Sequence, residues 1–175
     1  MTELKYSLSE LNVLPAEGAS VAFANCCTSH GWIDGMVAAR PFISLEQCHE
    51  VALSVWTGLG EQDFLQAFEG HPKIGDVTSL REKYAHTKKL AAGEQSSVDD
   101  ASEEVIQALA AGNTAYQQKN GFIFIVCATG KSALEMLELL NQRLPNERAE
   151  ELNNAAAEQA KITTIRINKL ISHSQ

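Results

Sequence analysis

Helical spacing of apolar residues is the feature that most constrains this chain of 175 residues. After Ser44, apolar side chains recur three and four positions apart, and Gln47 stands where the partner in a capping box belongs. A second stripe follows the acidic turn after Ser102 and reaches about Tyr116, with Gly121 as its expected end. Both segments are therefore predicted to be amphipathic helices.

Two more helical stripes follow towards the C-terminus. One covers Ala133 to Leu144 and is closed by Pro145, and the last helix is expected from about Asn146 to Ile171. No internal repeat and no low-complexity linker divides the chain. The sequence therefore predicts an all-α fold, a multi-helix bundle forming a single domain over residues 1–175.

One apolar segment departs from helical spacing. Residues 122–128 form an unbroken apolar run between Gly121 and Gly130, which taken alone is typical of a buried strand. No other segment competes as a partner strand, so we expect a buried extended connector or a helix start whose backbone polar groups need partners. A second break, residues 70–76, is predicted to be a turn-rich loop between helices.

Composition argues against several classes of protein. The formal net charge is -8, from 14 Lys and Arg against 22 Asp and Glu without a basic block, which argues against nucleic acid as a partner. No apolar run is long enough to cross a bilayer. Cys26, Cys27, Cys48 and Cys127 contain no C-x-x-C pair, and neither a signal-peptide core nor a peroxisomal tripeptide is recognisable. We therefore expect reduced thiols and a cytoplasmic location, without a membrane partner.

His71 is the first candidate for chemistry. The following Pro72 biases it away from helical backbone angles, which fixes the direction in which its ring leaves the loop. An imidazole with an ordinary pKa near 6.5 can exchange protons at cellular pH. The plainer alternative is a surface histidine in a turn.

Arg166 and a polar segment near residue 94 are the other candidates. On a helix, Arg166 shares a column with Ile162 and Leu170, so a buried guanidinium there requires an anion. Alternatively its head reaches water or pairs with a carboxylate from a neighbouring helix. Glu94 and Gln95 offer an acceptor and a mixed donor and acceptor suited to a small polar ring, or they form a solvated helix end.

Other catalytic signatures are absent from the sequence. It has no glycine-rich phosphate loop and no His-Glu-x-x-His, and the remaining histidines lack ligand spacing, so no metal is expected. Catalysis by the Cys127 thiol is disfavoured, because an apolar setting raises a thiol's pKa and suppresses the thiolate.

Several short motifs recur in a specific order and spacing along nearly the whole chain. They are Phe23-Ala24-Asn25-Cys26-Cys27 with Trp32, Met36 and Arg40-Pro41-Phe42; His71-Pro72-Lys73-Ile74-Gly75; Glu94-Gln95; Tyr116, Lys119 and Gly121 to Ala128; and Ile162-Thr163-Thr164-Ile165-Arg166. In this combination the chain resembles the 2-oxo-4-hydroxy-4-carboxy-5-ureidoimidazoline (OHCU) decarboxylases, which complete the conversion of urate to allantoin.

The resemblance implies an all-helical, usually homodimeric carboxy-lyase that needs no metal and no organic cofactor. Its substrate would be OHCU, and its products S-allantoin and carbon dioxide. His71 would be the catalytic proton donor, and Glu94 would orient His71 or bind the substrate hydroxyl. The family's substrate-binding positions fall on Pro72, Ala91, Ala92, Gly93, Glu94, Gln95, Phe124, Ile125, Val126, Cys127, Ala128 and Arg166.

Some positions depart from the family pattern. Ala91 stands where many relatives have serine, so one side-chain hydrogen bond to substrate is expected to be missing or replaced by water. Asn120 replaces an aromatic residue often found before the Gly-Phe pair. Because the net charge repels an anionic substrate, any steering must come from local cations such as Lys73 and Arg166.

Two other classes of protein fit the same residues. A hydrolase or isomerase of a related ureide ring could use the same His, Glu and Arg set. A non-catalytic helical module that binds a partner through an amphipathic face would not require these side chains to converge.

Overall fold

The computed structural model describes residues 5–71, 77–80, 82 and 103–171. Eight helices have both ends within these ranges: α1 Leu8–Val13, α2 Ala16–Ala24, α3 His30–Ala39, α4 Leu45–Thr57, α5 Glu61–Glu69, α6 Glu103–Asn120, α7 Ala133–Arg143 and α8 Arg148–Leu170. Residues 77–80 are helical as well. In these ranges the only extended pairing is an isolated bridge between Tyr6 and Ile171. The all-α prediction is confirmed.

The helix starts follow the local sequence signals. The Ser44 side chain accepts the Gln47 N–H at 3.0 Å, as the predicted cap of α4 requires. In a capping box, the Gln47 side chain would accept the Ser44 backbone N–H. It accepts the Ile43 N–H at 2.7 Å instead, one residue earlier. Ser132 and Glu135 form a complete capping box at the start of α7. Short-range hydrogen bonds thus define where these helices begin.

The apolar run after α6 is an extended connector, and its interpretation as a helix start is wrong. Gly121 has φ 81°, a left-handed conformation that ends α6, and residues 123–128 form neither helix nor strand. Phe122, Ile125 and Cys127 are buried, whereas the other connector residues up to Ala128 are half-buried. Alternate burial of this kind leaves part of the connector accessible.

The chain divides into two compact units. Unit one combines Met1–His71 with Ala156–Gln175, and unit two is Pro72–Ala155. Helix α8 therefore contributes its first two turns to unit two and its remainder to unit one. The expectation of one domain over residues 1–175 stays a prediction.

The core of unit one is built around two tryptophans. The indole N–H of Trp32 donates to the Ala52 carbonyl at 3.2 Å, and that of Trp56 donates to the Ala156 carbonyl at 2.9 Å. Phe23 meets Trp32 edge to face, with ring centroids 5.9 Å apart. Since both buried indole N–H groups are satisfied, these rings join α3, α4 and α8 without leaving a polar group unpaired.

Unit two buries apolar side chains of α6 against α7. Ile106 and Leu109 on α6 and Met136 and Leu140 on α7 are all buried. No helix in the described ranges is both long and apolar enough to cross a membrane.

Candidate active site

The end of α5 fixes the position of His71. The His71 backbone N–H donates to the Phe68 carbonyl at 3.2 Å, which continues the last turn of the helix past Glu69. Gly70 lies so close to Thr28 that a Cβ at this position would collide with the threonine side chain. A larger residue at position 70 would therefore displace Thr28, and the half-buried imidazole follows this glycine directly.

The His71 ring is held by a buried amide of α8. Its Nε2 lies 2.6 Å from the Gln159 Oε1, and the Gln159 Nε2 donates to the Thr163 Oγ1 at 3.0 Å. Gln159 is completely buried and Thr163 is 6% exposed. Gln159, Thr163 and Arg166 are spaced four and three residues apart, so they share one face of the helix. We call these three side chains and His71 the cluster in unit one.

The environment keeps the imidazole neutral. Burial lowers the pKa of His71 below its ordinary value of 6.5, the hydrogen bond to Gln159 opposes this in part, and the positive charge of Arg166 adds to the lowering. At neutral pH the ring therefore carries one proton and has one free lone pair.

Arg166 has a carbonyl as its partner in unit one. Its Nη1 donates to the Cys26 carbonyl at 3.4 Å, the outer limit of a hydrogen bond. Within the described ranges, no carboxylate forms an ion pair with this guanidinium. Arg166 is half-buried, and no described carboxylate supplies the anion that a fully buried guanidinium would require.

Burial disfavours the thiolate form of the neighbouring cysteines. Burial raises the pKa of Cys26 to about 12. Burial also raises the pKa of Cys27, and the hydrogen bonds from Ser29 and Thr163 offset this increase in part. All four cysteines of the chain are free thiols, as expected. Cys26 and Cys27 act here as small buried side chains.

The connector of unit two is held through two of its carbonyls. The Arg143 Nη1 donates to the Ile125 carbonyl at 2.7 Å, and the Lys131 Nζ donates to the Cys127 carbonyl at 2.8 Å. The Arg143 guanidinium also lies over the Phe124 ring, 4.7 Å from its centroid. Two carbonyls within the predicted substrate-binding residues 124–128 are thus engaged by the protein's own cations.

A buried carboxylate in unit two supports Arg143. Glu151, whose side chain is fully buried, accepts hydrogen bonds from the Tyr116 hydroxyl at 2.5 Å, Arg143 Nε at 2.7 Å, and the Asn146 and Asn154 amides at 2.8 Å. Burial by itself raises the pKa of Glu151, but these hydrogen bonds outweigh it and hold the pKa below its ordinary value. We call Glu151, Arg143 and Tyr116 the Glu151 cluster.

Sequence reasoning missed the Glu151 cluster and Gln159. The only signal for Glu151 is that it shares a helical column with the buried Ala155, four residues on. For Gln159 the corresponding signal is its spacing of four residues from Thr163 and seven from Arg166. The sequence indicates a polar residue in an apolar helical column only at Arg166, because a charged side chain between Ile162 and Leu170 is unfavourable without a partner.

The predicted site residues fall into three groups. His71 and Arg166 lie together in unit one, and residues 124–128 lie in unit two. Pro72, the segment Ala91 to Gln95 with Glu94, and Lys73 lie outside the described residues, so their roles stay predictions. In the part of the chain that the structure describes, no group of His, Cys, Asp and Glu could hold a metal ion.

Asn120, the departure before the Gly-Phe pair, has a structural place at the end of α6. It is 1% exposed, and its side-chain amide donates to the Tyr116 carbonyl at 3.1 Å. The Asn120 backbone carbonyl accepts a hydrogen bond from the Arg148 Nε at 2.9 Å. These bonds join the end of α6 to the start of α8 within unit two.

Together, the fold and the cluster in unit one define an all-α protein with a candidate proton-transfer site at a neutral imidazole. A family model described as OHCU decarboxylase matches residues 12–168. The chain therefore belongs to the OHCU decarboxylase family, as its motifs predict.

Curated relatives carry the same domain in different settings. The uric acid degradation bifunctional protein TTL of Arabidopsis thaliana is 35% identical over 148 residues, which cover 84% of this chain and 45% of the relative. The 2-oxo-4-hydroxy-4-carboxy-5-ureidoimidazoline decarboxylase of Halalkalicoccus jeotgali is 24% identical over 131 residues, covering 75% and 72%. The chain spans less than half the length of the bifunctional relatives that it matches.

Solved structures share the fold. A crystal structure of OHCU decarboxylase in the presence of (S)-allantoin has a TM-score of 0.67 and 30% identity, covering 89% of this chain and 97% of that one. A crystal structure of (S)-allantoin synthase has a TM-score of 0.68 at 16% identity, covering 95% and 54%, and supports the fold alone.

Proposed function

We propose that this chain converts OHCU to S-allantoin and carbon dioxide, acting as a cytoplasmic homodimer without metal or organic cofactor. The observation that carries the proposal is the neutral, half-buried imidazole of His71, close enough to Arg166 for that charge to act on it. Membership of the OHCU decarboxylase family supplies the substrate.

The substrate can decarboxylate without an external electron sink. When the bond between the ring carbon and the carboxylate breaks, its electron pair forms a double bond to the neighbouring carbon. The π pair of that carbon's double bond to nitrogen moves onto the ring nitrogen, which takes up one proton from solvent. The ring hydroxyl then loses its proton and becomes a carbonyl, and the neighbouring carbon, which carries the ureido group, gains a proton. Starting from the carboxylate, the reaction consumes one proton in total and releases carbon dioxide. The protein needs only to orient the ring, stabilise the developing charge and direct the proton.

A neutral His71 suits this transfer. A neutral imidazole is a poor acid, so His71 must take up a proton before it can donate one. The substrate hydroxyl, which becomes a carbonyl, is a source of that proton. Delivery from His71 to one face of the ring gives a single enantiomer of allantoin, whereas spontaneous breakdown gives the racemate.

The other candidate residues bind and orient the substrate in this proposal. Arg166, which lacks a carboxylate partner within the described ranges, holds the anionic substrate or pairs with Glu94. Glu94 orients His71 or binds the substrate hydroxyl. Pro72, residues 91–95 and residues 124–128 frame the ring, and Lys73 contributes to steering.

The test is to supply freshly generated urate oxidation product and to measure carbon dioxide and optical rotation together. We expect carbon dioxide in proportion to S-allantoin. Ring opening without gas would replace the proposal by the hydrolase or isomerase alternative. Gas evolution at the spontaneous rate with a racemic product would favour a non-catalytic helical module.

A further inference from the structure

We propose that Gln159 is a positioning residue that holds His71 as the tautomer protonated on Nε2, leaving Nδ1 as the atom that exchanges protons with the substrate. The catalytic part of this inference rests on the proposed function, whereas the tautomer can be measured without it. Gln159 lies outside every motif that the sequence singled out.

The geometry of the amide restrains both of its ends. The Oε1 of Gln159 lies 2.6 Å from the His71 Nε2, and the Nε2 of Gln159 donates to the Thr163 Oγ1 at 3.0 Å. Because Gln159 is completely buried, water does not compete for either bond. A side chain held at both ends aims its oxygen at the imidazole in a fixed direction.

The polarity of the hydrogen bonds selects the tautomer. An amide oxygen can only accept, so the His71 nitrogen that faces it must carry the proton. The Thr163 hydroxyl can donate or accept, and its oxygen lies 3.0 Å from the Gln159 Nε2, so it accepts the amide N–H. The two hydrogen bonds therefore run in the same direction, from the His71 Nε2–H to the Gln159 oxygen and from the Gln159 amide N–H to the Thr163 oxygen.

An amide at position 159 orients the imidazole without charging it. A carboxylate at the same place would favour the imidazolium, because an opposite charge within hydrogen-bond distance raises a histidine's pKa. Among the described residues, the charged group that acts on His71 is Arg166, which favours the neutral ring. Gln159 and Arg166 thus act together to present a lone pair on Nδ1 at neutral pH.

The first experiment measures the His71 tautomer directly. Nitrogen-15 NMR of the wild-type chain near pH 8, with His71 assigned through His71→Ala, should show Nε2 protonated and Nδ1 unprotonated. Gln159→Leu should shift the ring towards a mixture of tautomers. A wild-type ring protonated on Nδ1 would overturn the inference. This result does not require Gln159→Leu to fold.

The second experiment measures turnover. Gln159→Leu should lower kcat by about 10- to 100-fold with little change in KM, less than the roughly 10²–10⁴-fold loss expected when an acid–base group is removed. Gln159→Glu should move the acidic limb of the profile of kcat/KM against pH upwards, because a carboxylate there would raise the pKa of His71. A purely structural role would alter neither the pH profile nor the tautomer.

Gln66→Leu is the matched control within unit one. The Gln66 side-chain oxygen also accepts a short hydrogen bond, from the His30 backbone N–H at 2.7 Å, whereas the described hydrogen bond of the His71 ring is to Gln159. We expect its kcat and pH profile to match the wild type. Wild-type kcat and pH profile in a folded Gln159→Leu enzyme would contradict the positioning role. A wild-type chain without decarboxylase activity but with Nε2 protonated would contradict the proposed function and support the tautomer assignment.

Discussion

Helix α8 carries two buried polar networks that differ in charge. In unit two, its first turns bring Glu151 to the Arg143 guanidinium and the Tyr116 hydroxyl. In unit one, its later turns bring the uncharged Gln159 to the His71 ring, with Thr163 accepting the Gln159 amide N–H. One helix thus supports an ionic network and a neutral hydrogen-bond chain, and these suit different tasks.

The difference follows from the cost of burying charge. A buried ion is stable only with a close counter-ion and further hydrogen bonds, and Glu151 has both. Such a network fixes geometry but resists any change of protonation. A neutral chain tolerates proton uptake at its end, which is what a proton-transferring His71 needs. The four predictions below test this division, from the largest expected effect to the smallest.

Removing the imidazole should have the largest effect on turnover. We expect His71→Ala to fold and to lose about 10²–10⁴-fold in kcat, the usual contribution of a positioned acid–base group. His30→Ala, which removes an exposed imidazole at the start of α3, is the control and should keep wild-type kcat. Full activity of His71→Ala would refute its catalytic role.

Breaking the Glu151 cluster should have the largest effect on stability. Glu151→Gln leaves the Arg143 charge without its counter-ion, which should lower the free energy of unfolding by about 3–5 kcal/mol. The exposed neighbour Glu150 provides the control Glu150→Gln, which should change stability by less than about 0.5 kcal/mol. Urea denaturation measures both, and equal stability of the two variants would show that the cluster does not fix unit two.

Replacing Arg143 should separate binding from chemistry. Arg143→Lys loses the planar guanidinium that binds both Glu151 and the Ile125 carbonyl. We expect the free energy of unfolding to fall by about 1–3 kcal/mol. We also expect KM to rise by a larger factor than kcat falls. Arg40→Lys is the control in unit one, since Arg40 likewise donates to the Leu11 and Leu14 carbonyls. We expect that control to leave KM unchanged. An unchanged KM in Arg143→Lys would contradict a role of the connector in binding.

The pH dependence of stability should distinguish the two networks. The folded pKa of His71 lies below its ordinary value of 6.5, so between these values the unfolded chain binds more protons. The contribution of His71 is therefore complete above about pH 6.5 and is lost as pH falls towards its folded pKa. The lowered pKa of Glu151 gives a contribution that is present above its ordinary value of 4.5 and is lost at lower pH.

Urea unfolding from pH 8 to 4 measures this dependence. The free energy of unfolding should decline less below pH 6.5 in His71→Ala than in the wild type. The difference between the two proteins should stay below about 1.4 kcal/mol for each unit by which the folded chain lowers the pKa of His71. Identical slopes in the two proteins would mean that His71 titrates normally in the folded chain.

Much of the fold was predictable because its signals are local. The cap at Ser44, the end of α6 at Gly121 and the extended run that follows depend on residues a few positions apart. His71 and Arg166 were recognisable as candidates because Pro72 restricts the first and an apolar column surrounds the second. The alternatives for residues 122–128 stayed open until the structure excluded a helix start, because an apolar run has no period of its own.

The sequence alone determined helices α4, α6, α7 and α8, the cap at Ser44 and the side chains capable of proton transfer, because each depends on the properties of a short stretch of chain. Tertiary structure alone decided that Gln159 meets His71 across 88 positions, and that Glu151 meets Tyr116 across 35. Such pairs depend on how whole helices pack, and amides and carboxylates on a helix carry no local mark of the partner they will find.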